Sequence, residues 1–290
     1  MTSPIRPIRT IYLNDDNNVG YVNRIMLGTA SRGTVRIEWH NAVRSITIPP
    51  NWSYVTFLQG MSAVIPVRFQ VADAQNVIVR ECLARDFEWL LLIEDDTLPP
   101  PDLYIRLNDY MREGKVPVVS GLYYTKSEPS EPLIYRGRGN GAFLDWKMGD
   151  QVWCDGVPTG CLMIHHSILK VMWEESEEYT VGGQTMRRVF DSPLKSWIDP
   201  DSGMVSTASG TSDLAWCMRI INENVFKKAG WNDYDGVEFP FVVDTNIRCW
   251  HITPDGETFP SHFPPIEEQR PPDLGIAVTD GTKPEDRFGS

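Results

Sequence analysis

Through the first 125 residues, short apolar runs alternate with stretches of helical spacing. This pattern predicts an α/β protein built on an open, mainly parallel sheet. Three observations carry the prediction. Residues 89–93 (WLLLI) are apolar throughout, as expected of a strand covered on both faces. Segments of helical spacing, 73–86 and 99–114, stand on either side of it. A small-residue turn, 28–33 (GTASRG), follows an earlier strand-like run.

In chain order, residues 1–20 carry little periodicity and read as an arm or edge strand. A strand is expected over 22–27. After the turn, TVRIEWHNAVRSI has helical spacing that offers Val35, Ile37, Trp39 and Val43 to an inward face. A strand is expected over 54–60. The helix over 73–86 places Ala74, Val77, Ile78, Cys82 and Leu83 on one side. The helix over 99–114 has prolines at its entry, Leu103, Leu107, Tyr110 and Met111 inward, and Gly114 at its end. A further strand follows at 116–121. The second half reads as strands within 141–146 and 151–165, a short helix over 167–174 and a loop-rich region over 175–210. A helix over 212–229 then puts Leu214, Cys217, Ile221 and Val225 on one stripe, and FVVDTNIRCWHI reads as paired extended segments. After residue 253 the chain is rich in Pro, Gly and acids, and is expected to wrap the domain or stay disordered. The organisation is thus an arm (1–20), one domain (21–253, dividing near 125) and a tail (254–290).

The 290 residues suffice for a large core, and 41% hydrophobic with 23% charged residues is ordinary for a soluble chain. The net charge of -12 argues against a protein that coats nucleic acid with a general basic surface. Five cysteines with no C-x-x-C pair read as reduced thiols in the core. No secretory apolar region follows the start, and no run approaches the ~20 residues of a membrane span. A soluble, cytoplasmic protein is expected.

The candidate chemistry centres on Glu94, Asp95 and Asp96, which follow the apolar run directly. Ligands of open α/β sheets sit outside the carboxyl ends of the strands, so this triplet falls on the ligand edge. Carboxylates there supply hard oxygen ligands for Mg2+ or Mn2+, which can bridge phosphates. The plainer alternative is a set of acids favouring the next helix dipole. His165 and His166 are adjacent, so on a strand they cannot face one site; capping or surface roles are expected. Trp146, Trp153, Trp173 and Trp197 are candidate sugar or base platforms, with core packing the default for each.

The stretch DAQNVIVRECLARDFEWLLLIEDDTLPPPDLYIRL resembles the core of GT-A fold glycosyltransferases of the large family-two type and its phage and archaeal relatives. An A-R-N-like helix leads to an apolar strand ending in a D-x-D motif, then to P-P and a helix. Later pieces match in order: SGLYY, VPTGCLMIHHSIL, TSDLAWCMRI and VVDTNIRCWHI. The resemblance spans roughly residues 21–253. It implies a Rossmann-like nucleotide-binding sheet merged with a smaller mixed sheet on the acceptor side. It further implies a metal-dependent transferase that moves a sugar from a nucleotide-diphosphate sugar, a UDP-sugar favoured, to an acceptor hydroxyl.

Residue by residue, the resemblance makes Asp96 and His251 ligands of Mn2+ or Mg2+. Glu94 and Asp95 fall on the nucleotide, with Thr29 on the turn and Asn76 on the helix as further donor contacts. Gly160 and Tyr124 lie in the acceptor segments. Asp213 matches the general base of inverting members, where it would deprotonate the acceptor hydroxyl. The chain departs from the pattern at Ser212, where the family has Glu, and at Gln75, where it often has Arg. Lys126 or Arg136 are candidates for the missing charge. The acceptor class stays open, a hydroxylated DNA base being one candidate. That reading needs Arg106, Arg112, Lys115, Lys126, Arg136 and Arg138 to gather on one face. A retaining transferase, a sugar nucleotidyltransferase and a non-catalytic carbohydrate-binding or structural protein are the alternatives.

Overall fold

The computed structural model describes residues 12–15, 18–21, 25–50, 52, 64–137, 141–198, 205–209 and 211–263. The strand expected over 54–60, most of the arm and most of the tail lie outside these residues. The fold is α/β around a central mixed sheet. Two short antiparallel strands, β1 (Tyr12–Asp15) and β2 (Asn18–Tyr21), precede the first core strand, β3 (Ile25–Gly28). Helix α1 (Ile37–Arg44) and helix α2 (Val71–Ala84) follow, then β4 (Trp89–Ile93), β5 (Thr97–Leu98), α3 (Leu103–Glu113) and β6 (Val118–Leu122). The second half adds β7 (Gln151–Cys154), β8 (Cys161–His165) and α4 (His166–Glu175). Hairpins β9–β10 (Glu178–Val181, Gln184–Arg187) and β11–β12 (Leu194–Ile198, Val205–Ser209) come next. Helices α5 (Ser212–Asn222) and α6 (Val225–Lys228), then β13 (Phe241–Arg248), β14 (Trp250–Ile252) and β15 (Thr258–Phe259), close the described chain.

The six-stranded sheet has the order β3-β4-β8-β6-β13-β7. β3 with β4 and β6 with β13 are parallel pairs, whereas β8 lies antiparallel between β4 and β6, and β7 antiparallel on β13. The sheet is therefore mixed, not mainly parallel. Four strands still share one direction, so their carboxyl ends define one edge. The sheet divides the core in two. One side gathers Ile78, Leu90, Leu162, Trp216 and Phe241, the other Trp39, Leu91, Leu103, Tyr123 and Met163. All five residues of β4 are buried, which is why that run carries no polar alternation.

Several local expectations are corrected. Helix α1 begins at Ile37, so Val35 precedes it, and both are exposed while Trp39 and Val43 go inward. Residues 37 and 39 are two apart and cannot share a helix face. On α2, Val77 and Leu83 are only half-buried, and Gln75, Asn76 and Val79 are buried instead. Region 175–210 holds two hairpins. The first turns at Gly182 and Gly183, both with positive φ (56° and 76°), the pairing that a two-residue turn between twisted strands requires. The single helix over 212–229 is two, broken where Asn224 takes a left-handed conformation (φ 54°). Residues 241–252 form two strands in different sheets: β13 in the large one, β14 between β5 and β15. Part of the tail thus packs onto the domain through β15. Among the described residues, no helix is long and apolar enough to cross a membrane, and all five cysteines are buried and unbridged.

Candidate active site

The acid triplet leaves β4 at the carboxyl edge, where three other strands meet it. β8 runs the opposite way, so its start faces the end of β4: Ile93 pairs with Cys161, and the Glu94 N–H donates to the Gly160 carbonyl (3.1 Å). β6 ends at Leu122 and delivers Tyr123 and Tyr124. β14 pairs with β5 in a register that sets His251 opposite Thr97, one residue past Asp96. The Ile252 N–H donates to the Asp96 carbonyl (2.8 Å), which fixes that register from the triplet itself.

The three acids have unequal surroundings. Asp96 Oδ2 meets the Lys126 ammonium and, at 3.5 Å, His251 Nε2. Burial alone would push the Asp96 carboxyl up, but the hydrogen bonds and charges of His251 and Lys126 outweigh it and hold the group down to about 2. Its other oxygen, Oδ1, is buried with no partner among the described residues. Glu94 goes the opposite way: burial first, then the Asp96 charge, push it up to about 7, against a hydrogen bond from Thr159. Asp213 and Asp95 add to that push, which puts the Asp213 carboxylate within electrostatic reach of Glu94. Asp95 faces the turn, where its Oδ2 accepts the Arg32 N–H (3.3 Å).

Around this centre the polar groups are chained together. Gln75 donates to Thr159 Oγ1 (3.2 Å), and Thr159 donates to Glu94 Oε1 (2.9 Å). The buried Tyr123 hydroxyl accepts the Gly160 N–H (2.9 Å), and its ring meets the His251 ring edge-on at 5.3 Å. A side chain at Gly160 would place a Cβ 2.2 Å from the Tyr123 hydroxyl, so any larger residue here would force the buried ring to move. His251 Nδ1 bonds the Tyr124 carbonyl (2.9 Å). A carbonyl only accepts, so Nδ1 carries a proton and Nε2 is the nitrogen left facing Asp96.

Asp96, Glu94, Asp95, His251 and Gly160 therefore meet at one edge, with Asp213 close by in the first turn of α5. Thr29 stands at the end of β3, its hydroxyl buried and without a partner among the described residues. Tyr124 contributes its backbone; its ring is buried against Phe263. Asn76 turns away from the edge. Its amide donates to the Tyr179 hydroxyl and the Phe190 carbonyl (both 2.9 Å) and accepts the Phe190 N–H (2.8 Å), which ties α2 to the segment after β10. The α5 cap is Thr211 rather than Ser212, and Ser212 is buried. His165 caps α4 by accepting the Ser167 N–H, and both histidines are buried rather than at the surface. Trp146 and Trp173 pack on the core, and the Trp197 side chain lies outside the described residues. Thr159 and Tyr123 had no individual signal in the sequence, because their role arises only when β8 folds back beside β4; Gln75 stood out only as a missing charge, not as a donor to Thr159.

For a divalent ion, the chain offers Asp96 and His251. The tautomer of His251, held by a carbonyl behind it, suits a ligand, and Asp96 Oδ1 lacks a partner. No group of three or more His, Cys, Asp or Glu side chains able to hold an ion occurs among the described residues. Lys126 already neutralises Oδ2. The residues thus fit an ion held by two protein ligands, with the remaining positions left to a bound ligand or water.

No protein-family model and no curated protein matches the sequence. Solved structures that resemble the fold include A197 from STIV (16% identity, TM-score 0.46, 81% of this chain and 92% of that one). TarS 1-349 from S. aureus in complex with UDP-GlcNAc is also similar (12%, TM-score 0.33, 51% of this chain and 46% of that one). So is a provisionally assigned glucose-1-phosphate thymidylyltransferase from Bacillus anthracis (10% identity, TM-score 0.29, 52% of this chain and 76% of that one).

Proposed function

We propose that the chain is a glycosyltransferase that moves a sugar from a nucleotide-diphosphate sugar, a UDP-sugar favoured, to an acceptor hydroxyl. The observation that carries this reading is the meeting of Lys126, His251 and Asp96 at the carboxyl edge of the sheet, with two further carboxylates, Glu94 and Asp213, nearby. Two acids with ionisation pushed in opposite directions are the pattern expected where charge must be handled in separate roles. Lys126 supplies positive charge and a hydrogen bond to a departing diphosphate. Asp213, in the first turn of α5, accepts the proton of the acceptor hydroxyl as its oxygen attacks the anomeric carbon and the bond to the diphosphate breaks. This displacement inverts the anomeric centre. A bound Mn2+ or Mg2+ on Asp96 and His251 would further neutralise the diphosphate.

The acceptor class stays open between a hydroxylated DNA base and other hydroxyl compounds. Lys115 precedes β6 and Lys126 follows it, so they stand at opposite ends of that strand. Arg106 is paired with Asp102, and Arg136 lies over the Phe143 and Phe239 rings. Lys115 and Lys126 therefore do not share one edge, which counts against a DNA acceptor.

Titration calorimetry against UDP-, GDP- and dTDP-sugars, with Mn2+ and with EDTA, tests the reading. The wild-type chain is expected to bind at least one donor and hydrolyse it slowly without acceptor. Asp96→Ala is expected to lose donor binding, and Asp213→Asn to bind donor normally but lose transfer. Failure of every nucleotide sugar to bind would sink the proposal, and normal transfer by Asp213→Asn would remove the base assignment.

A further inference from the structure

The parallel strands β6 and β13 have two ends. Their carboxyl ends hold the acid centre. Their amino ends border a groove of about 760 Å³ that the proposed reaction does not use. The five residues of β6 put roughly 16 Å between the two places, at about 3.3 Å per residue. The groove is walled by Lys115 just before β6, Trp153 on the edge strand β7, and Asn232, Asp233 and Glu238 from the loop that leads into β13.

Along β7 the burial alternates, with Val152 and Cys154 inward and Trp153 outward, leaving the indole 38% exposed. Its ring lies 6.2 Å from that of Tyr234, which is buried beneath it and held by a hydrogen bond from its hydroxyl to the Lys115 carbonyl (2.9 Å). The side chains of Lys115, Asn232, Asp233 and Glu238 make no hydrogen bond or ion pair among the described residues. Polar groups without partners thus rim an exposed aromatic plate.

The polarity of that rim selects the ligand. Lys115, the Asn232 amide and the Trp153 N–H donate, while Asp233 and Glu238 accept. A simple cation would meet Lys115, and an anion would meet two carboxylates. A neutral pyranose presents one apolar C–H face to a flat ring, and its hydroxyls both donate and accept. We propose that this groove binds a neutral oligosaccharide, apart from the acid centre. The proposal does not depend on the transferase reading.

Saturation-transfer NMR on the full chain, with maltohexaose, cellohexaose and chitohexaose as probes and choline as a control cation, tests it. Transfer to the pyranose C–H protons of at least one hexaose is expected, with none to choline. Trp153→Ala should weaken that binding tenfold or more. The double variant Asp233→Ala/Glu238→Ala removes exposed side chains that no neighbour holds, so it preserves the fold and should also weaken binding. No binding by any of the three hexaoses, binding unchanged in both variants, or preferential binding of choline would each overturn the proposal.

Discussion

Lys126 and His251 converge on one oxygen of Asp96, which leaves the buried Oδ1 as the place where an incoming cation or donor gains most. Lys126 then has two possible effects on a donor, and they are separable. Replacing it by Met removes a charged hydrogen-bond donor, so metal-free donor binding should weaken roughly tenfold or more. The same change frees Oδ2, so binding should become more dependent on added Mn2+, as calorimetry with and without EDTA would show. Gly160 makes a second point about single residues. Its absent side chain is space used by the Tyr123 ring, and Tyr123 is buried. Gly160→Ala should therefore cost about 1–3 kcal/mol of stability through overpacking, read as a lower urea midpoint with an unchanged slope. A glycine before an apolar run is visible in the sequence; the tyrosine that requires it is not.

The elements show what a linear reading captures. β4, α2 and α3 are legible because their patterns are local: a continuous apolar run, a helical stripe, and a glycine with positive φ at the end of α3. The acid triplet inherits that legibility from β4. The antiparallel insertion of β8 between β4 and β6 is not legible, since spacing says nothing about which strands become neighbours. The break at Asn224 escapes for another reason: Asn tolerates the left-handed conformation, so no Gly or Pro marks it. Strand β15 matters here as well. It pairs with β14 and sets Phe259 opposite His251. Ending the chain after Thr253 should therefore weaken donor binding although no proposed site residue is lost, which calorimetry on the shortened chain would reveal. The cap of α4 gives a pH prediction. His165 Nδ1 accepts the Ser167 N–H, and burial with the His166 charge holds the ring down to about 3, against 6.5 when free. Above pH 6.5 the ring is neutral in both folded and unfolded chains. Between about 6.5 and 3 only the unfolded chain takes up the proton, so stability falls as pH falls, by up to about 1.4 kcal/mol per pH unit. The difference in unfolding free energy between wild type and His165→Gln should carry that slope below pH 6.5 and none above it.

For the molecule as a whole, charge and topology agree about partners. A net charge of -12 repels a polyanion, and the two lysines that flank β6 stand at its opposite ends. Gel mobility should show no retardation of duplex DNA even at low salt, where electrostatic attraction is least screened. Composition alone carries this prediction, whereas the placing of the acid centre and the groove at opposite ends of the same strands needed the folded chain. The parallel strands serve as a rigid spacer, so a ligand at one end is held at a fixed distance from the other.

The pairing of β14 with β5 has a consequence for how the chain tolerates changes of length. Neighbouring residues of a strand face opposite ways, and here the Trp250 ring meets Phe263 while the His251 ring meets Tyr123. One residue inserted before Trp250 would therefore exchange an imidazole for an indole beside Asp96. Substitutions at 250 can be gradual in their effect, but an insertion or deletion between Cys249 and His251 acts as an on–off change.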